Sequence, residues 1–276
     1  MGVHSAPTFS QWVGQTVQVS IRESPAPPFG TLMRQWRTRR RLSQLDLAID
    51  ADISARHLSF LETGRSVPSR AMVLRLAAVL DIPRREQNQL LVAAGLAPVY
   101  TERSLDDPEM TAIAGAVQRV LTAYQPYPCL AVDRRWTIVA TNTAATALLD
   151  GVSPALLATP NALRIALHPD GLAPRIRNLA QWRHHLLQRL RRETAVSGDP
   201  ELGALLSELE GYPGDGPADD EDAGVVVPLE LQTSSGDVLT LLSTVTTFGT
   251  ALDLTAAELS LEAFLPADDA TARALR

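Results

Sequence analysis

"SQLDLAIDADISARHLSFLETGRSVPS", residues 43–69, decides how the first third of this sequence folds. Ser43 stands where an N-cap belongs, and "QLDLAID" behind it reads as a short helix. Ser54 opens a second one. On a wheel of about 100° per residue, Leu58 and Leu61 fall within about 40° of Ser54, while Ala55, Arg56, Ser59 and Phe60 occupy the opposite side. One face is therefore apolar, and the other presents small side chains around a single arginine. Small residues permit close approach to a groove, and arginine can fork onto guanine O6 and N7. "TGRSVPS" stops the helix at Gly64 and offers Arg65 and Ser66 to a phosphate backbone. Gln44, at the start of the supporting helix, is expected near a phosphate or the first base. Ser69 caps a further helix whose Met72, Leu76 and Leu80 close a small core.

Charge agrees with that reading. All 25 basic residues are arginine, and eleven of them lie between Phe29 and Leu90 against six acids, a local charge of +5. The remainder carries −11, so the overall −6 hides a basic module joined to an acidic one. Local charge, not the total, meets phosphates. The Arg-rich run 37–41 is expected at a solvated helix end. His57 borders the core side and reads as a packed histidine, not a metal ligand.

At this point residues 31–83 resemble a helix-turn-helix of the Xre/Cro/C1 repressor family, through "SQLDLA", "SARHLSFLETGR" and "PS" in register. Asp52 stands where that family usually has glycine; Asp tolerates a left-handed backbone better than most residues. Phe60 also departs from the usual polar residue. The resemblance implies double-stranded operator DNA as partner, a homodimer, and contacts from Ser43, Gln44, Ser54, Ala55, Arg56, Ser59, Phe60, Arg65 and Ser66. It also implies an ion pair between Arg37 and Glu62.

Working outward, residues 1–28 read as a disordered tail ending in "SPAPP", and 29–98 as the helix-turn-helix domain. Residues 99–106 form a linker, and 107–276 a second domain. There, helices are expected over 109–124, 143–150, 153–167 and 175–194, with a hairpin in "CLAVDRRWTIVATN" and strands at 225–233, 238–248 and 259–264. "YPGDGPADDEDAG", 212–224, is too polar and too rich in Gly and Pro to pack, and reads as an acidic loop. Two strands, helices, then three strands is the order of a PAS-like α+β domain with a five-stranded antiparallel sheet. The fold class is multidomain: an N-terminal all-α bundle followed by that domain.

Forty-five per cent apolar residues suit a globular protein, and no run reaches the roughly 18 apolar residues of a membrane span. One cysteine, Cys129, excludes a disulfide framework and a Cys-rich zinc site. No signal peptide is evident, so a cytoplasmic protein without a membrane partner is expected. No G-x-S-x-G, H-E-x-x-H, P-loop or G-x-G-x-x-G occurs, and His184 and His185 point to different faces of one helix. No catalytic residue, cofactor or metal is expected.

Three phrases carry a second resemblance: "YPCLAVDRRWTIVATNTAA" (127–145), "HPDGLAPRIRNLAQWRHHLLQRLRRE" (168–193) and "LLSTVTTFGTALDLTAAELSLEAFLPAD" (241–268). Together they resemble the MmyB-like ligand-binding domain that follows Xre-type modules in actinobacterial regulators. This implies a sheet and helices around an apolar pocket, and a fatty acid or similar small hydrophobic ligand. Candidate wall residues are Trp136, Ile138, Trp182 and Leu186; candidates for a polar end are Asn142, Arg175, Asn178 and His185. Arg175 and Arg177 are alternatively partners for the acidic loop. The reading is a ligand-responsive transcription factor; its rivals are a DNA-binding regulator whose second domain only dimerises or holds a protein, and an enzyme with a vestigial DNA-binding domain.

Overall fold

The computed structural model describes residues 27–214, 226–249, 251 and 253–276. Residues 1–26 of the tail expected over 1–28, and 215–224 of the acidic loop expected over 212–224, lie outside the described residues. Two compact units emerge, one from described residues 27–102, the other from residues of 103–251 and 255–276.

The first unit is all helix: α1 Phe29–Arg39, α2 Gln44–Asp50, α3 Ala55–Glu62, α4 Arg70–Val79 and α5 Arg84–Ala93. Each central helix starts on a serine. Ser43 forms a capping box with Asp46, Ser54 accepts from the His57 amide, and Ser69 accepts from the Met72 amide. Asp52 takes φ +51° in the turn between α2 and α3, the left-handed backbone the resemblance requires there. Met33, Leu47, Leu58, Leu61, Leu76 and Leu90 are fully buried together. Gly30 explains how α1 lies so close to α3: a Cβ there would stand 2.4 Å from the Glu62 carbonyl oxygen.

The second unit begins with a 3₁₀ turn, Pro108–Met110, and α6, Thr111–Ala123. The hairpin β1 Cys129–Val132 and β2 Ile138–Thr141 follows, then α7 Thr143–Leu148. The single helix expected over 153–167 is two, α8 Pro154–Ala158 and α9 Ala162–Leu167. Pro160 has no N–H to continue a helix, its carbonyl accepts from Ile138, and Asn161 caps α9. The helix expected from 175 starts later: Arg175 lies in a 3₁₀ turn, Ile176 bridges to Leu231, and α10 runs Leu179–Ser197. Gly198, at φ +68°, ends it. The sequence reading missed α11, Pro200–Glu210, although Asp199 as cap and Pro200 at the first position are its local signals.

Strands β3 Leu229–Gln232, β4 Val238–Thr247 and β5 Ser260–Pro266 complete the sheet, with short helices α12 Leu254–Ala257 and α13 Asp269–Ala274. Strand order is β2-β1-β5-β4-β3, antiparallel throughout. This is the PAS-like five-stranded arrangement. Alternation along the strands separates two cores. Cys129, Ala131, Leu261 and Ala263 pack with Val117 and Leu121 of α6, whereas Val132, Ile138, Leu231 and Leu241 pack with α9, α10 and α11. Asp199 pins the hairpin tip, accepting from Arg134 at 2.7 Å and Arg135 at 3.2 Å.

Candidate functional site

In the helical unit, α3 turns Leu58 and Leu61 inward and Arg56 outward into solvent. Phe60 lies one turn beyond Arg56, half-buried, with the guanidinium of Arg56 5.3 Å and that of Arg65 6.0 Å from its ring centroid. Two cations thus flank one aromatic ring on a face otherwise made of Ala55 and Ser59. The Arg65 and Ser66 amides both donate to the Phe60 carbonyl, holding the turn after α3 against the helix end. The side chains of Ser43 and Ser54 are engaged as caps. Gln44 donates to Glu62 Oε2 at 2.8 Å.

Glu62 is the electrostatic hinge of this unit. Its side chain is fully enclosed, and it accepts from Arg37 Nε at 2.7 Å and Nη2 at 3.1 Å, with Arg34 at 3.5 Å. Burial alone would raise its pKa. The hydrogen bonds from Arg37 and Gln44, with the charges of Arg37 and Arg34, outweigh burial and hold the carboxyl below its ordinary value. The Arg-rich end of α1 is only partly solvated. Arg37 is committed to Glu62, and Arg40 donates to the Leu80 and Asp81 carbonyls.

The second unit contains a cavity between the sheet and α7, α9 and α10. Its volume is about 80 Å³, room for several waters. Its wall is almost wholly apolar: Trp136, Ile138, Leu163, Trp182, Leu186 and Phe264 contribute, and Glu262 is the one charged side chain among the lining residues.

The four proposed polar-end residues are not in that lining. Asn142 is buried as a structural knot, accepting from the Cys129 and Ala145 amides and donating to the Leu121 and Tyr127 carbonyls. Arg175 donates to the carbonyls of Gln232, Leu148 and Asp150. Asn178 donates to the Pro228 carbonyl and accepts from the Glu230 amide. His185 stacks on Trp182 with centroids 5.5 Å apart; burial, helped by Arg189, Arg192 and His184, lowers its pKa.

The cavity's polar corner is elsewhere. Glu262 on β5 accepts from Arg189 Nη1 at 2.5 Å, and Arg189 Nε donates to Glu193 at 3.1 Å. The same guanidinium lies 4.3 Å over the Trp136 ring, whose Nε1 donates to Glu193 at 2.8 Å. Trp136 itself sits at φ +66°, strained for a bulky residue and held by its amide on the Asp133 carbonyl. Burial, with Glu193 adding, pushes the Glu262 carboxyl above its ordinary value against the pull of Arg189. The sequence signal was a lone glutamate at an inward register of an apolar strand. Cys129 is buried and its thiol pushed up to about 12, chiefly by burial, so it is unreactive.

Residues 113–276, more than half of the chain, match the MmyB-like transcription regulator ligand binding domain. The chain belongs to the MmyB-like transcription regulators. Residues 28–90 of this MmyB-like regulator match a helix-turn-helix domain, which makes it a DNA-binding helix-turn-helix transcriptional regulator with a ligand-binding domain. It is 37% identical over 76 residues to the HTH-type transcriptional regulator RghRB of Bacillus subtilis (strain 168), covering 27% of this chain and 52% of that one. The match thus spans about half the length of that relative. The restriction-modification controller protein C.AhdI from Aeromonas hydrophila is 36% identical, with 21% of this chain and 89% of that chain covered and a TM-score of 0.21. An RNA-binding light-oxygen-voltage receptor is 13% identical, with 89% and 61% covered and a TM-score of 0.26. Among the described residues no helix is long and apolar enough to cross a membrane.

Proposed function

We propose that this MmyB-like regulator is a cytoplasmic, ligand-responsive transcription factor that grips operator DNA as a homodimer. Its basic module, 29–98, reads the operator through α3, with Arg56 at a base edge, Phe60 beside it, and Ser43, Gln44, Ser54, Arg65 and Ser66 near the backbone. Residues 99–106 link it to the ligand-binding module, 107–276. There Trp136, Ile138, Trp182 and Leu186 form the wall around a fatty acid or similarly apolar molecule. The observation that carries this reading is the apolar cavity in the second unit of a chain whose first unit carries the α3 face.

A ligand in that cavity changes DNA affinity only if it favours one dimer arrangement over another. Two recognition helices must stand about 34 Å apart to enter successive turns of one duplex face, so a small change in packing suffices. The test is a titration of an operator, selected from random DNA, with and without decanoate, hexadecanoate or decanol. Wild type is expected to shift in operator affinity with at least one of them, and Trp182→Ala to shift less. Ligand binding that leaves operator affinity untouched would favour a second domain that serves dimerisation alone.

A further inference from the structure

We propose that the cavity selects ligands whose head group donates a hydrogen bond, a hydroxyl or an amine, and that Glu262 is the acceptor that holds it. This rests on the reading of the cavity as a ligand site and names the chemistry of its polar end.

Register puts Glu262 there. Leu261 and Ala263 face the core under α6, so the alternation of β5 sends Glu262 and Phe264 to the cavity face, with Glu262 opposite Leu130 of β1. Glu262 is 5% exposed, and its Oε1 accepts from Arg189. Its Oε2 makes no hydrogen bond among the described residues. A carboxylate oxygen in so apolar a wall has few donors within reach, and a donor brought by a ligand supplies one.

The surroundings disfavour a ligand carboxylate. Arg189 already serves two acids, Glu262 and Glu193, and covers the Trp136 ring with its guanidinium. The Trp136 indole donor is taken by Glu193. A third carboxylate would meet Glu262 with no uncommitted cation in the cavity lining. A hydroxyl or ammonium meets a waiting acceptor instead, while its chain lies against Ile138, Leu163, Trp182 and Phe264.

The experiment compares decanol, decylamine and decanoate by calorimetric titration of the full chain, stripped of carried lipid, at neutral pH. Decanol and decylamine are expected to bind roughly ten- to a hundredfold more tightly than decanoate, the range of one hydrogen bond to a charged group. Glu262→Gln keeps a carbonyl for Arg189 but presents an amide N–H₂ in place of the free oxygen. That variant is expected to lose the preference for the donors and to gain on decanoate. Decanoate binding wild type as tightly as decanol would overturn the inference while leaving an apolar ligand site intact, and so would an unchanged preference in folded Glu262→Gln. If Glu262→Gln does not fold, the wild-type ranking decides alone. Binding of none of the three would remove the ligand reading itself, and this inference with it.

Discussion

Arg37 reaches across 25 residues of sequence to make a two-pronged ion pair with Glu62, Nε to Oε1 at 2.7 Å and Nη2 to Oε2 at 3.1 Å. The pair fastens α1 to the end of α3, and Gln44 adds a third bond from α2. Contacts from α1 and α2 to the end of α3 therefore converge on one carboxylate.

Glu62→Ala leaves Arg37 uncompensated in a partly buried setting, at a cost of about 3–5 kcal/mol. We expect a lower melting transition for the helical unit, followed by circular dichroism with no DNA present. A melting temperature equal to wild type would remove the pair from the account of stability.

The same carboxyl sets a pH dependence. Its folded pKa lies below the ordinary 4.5, so the native state binds fewer protons than the unfolded chain as pH falls through that value. The contribution is complete above about 4.5 and fades as pH drops towards the folded pKa. Acid titration of stability is expected to show a loss in this window that Glu62→Gln lacks.

Arg56→Ala should relax base preference at one position per half-site, costing roughly 1–3 kcal/mol against the preferred sequence. Binding to all sequences should fall with salt, at a slope of about −0.9 in log affinity per log salt for each phosphate neutralised. An Arg56→Ala protein that weakens on every sequence alike and loses about one unit of that slope would move Arg56 to a phosphate role.

Gly30→Ala drives a methyl group against the Glu62 carbonyl, 2.4 Å from where its Cβ would lie. The methyl is fixed to the α1 backbone and the carbonyl belongs to the α3 backbone, so α1 must move away from α3, with an overpacking cost of about 1–3 kcal/mol. Denaturant unfolding should register the loss even though Ala is the better helix former.

Asn142→Ala leaves the Leu121 and Tyr127 carbonyls and the Cys129 amide without their side-chain partner and removes the cap of α7. Each buried group so exposed costs about 1–3 kcal/mol. Stability of the second unit should fall, while the order of affinities for decanol and decanoate stays as in wild type.

What a residue's neighbours decide was legible along the chain. Ser43, Ser54 and Ser69 as caps, Gly64 as stop and Asp52 as a left-handed turn all act within four residues of themselves. The wheel that turned Leu58 inward and Arg56 outward uses the same short range. Helix 153–167 misled because its apolar period continues across Pro160, although Pro160 has no N–H to extend a helix; its carbonyl is taken by Ile138, some twenty residues away.

Periodicity and local chemistry thus determined, from the sequence by itself, two units of different charge, the helix-turn-helix with its outward face, and the succession of strands and helices along the sheet domain. Only the tertiary structure decided which polar groups meet. Asn142, Arg175 and Asn178 satisfy backbone groups outside the cavity lining, while Glu262, 73 residues from Arg189, stands at the cavity's polar corner. A helix or strand period fixes the direction in which a side chain leaves its own element, whereas a buried charge is settled by what the facing elements bring within about 3 Å, and no spacing along the chain records that distance.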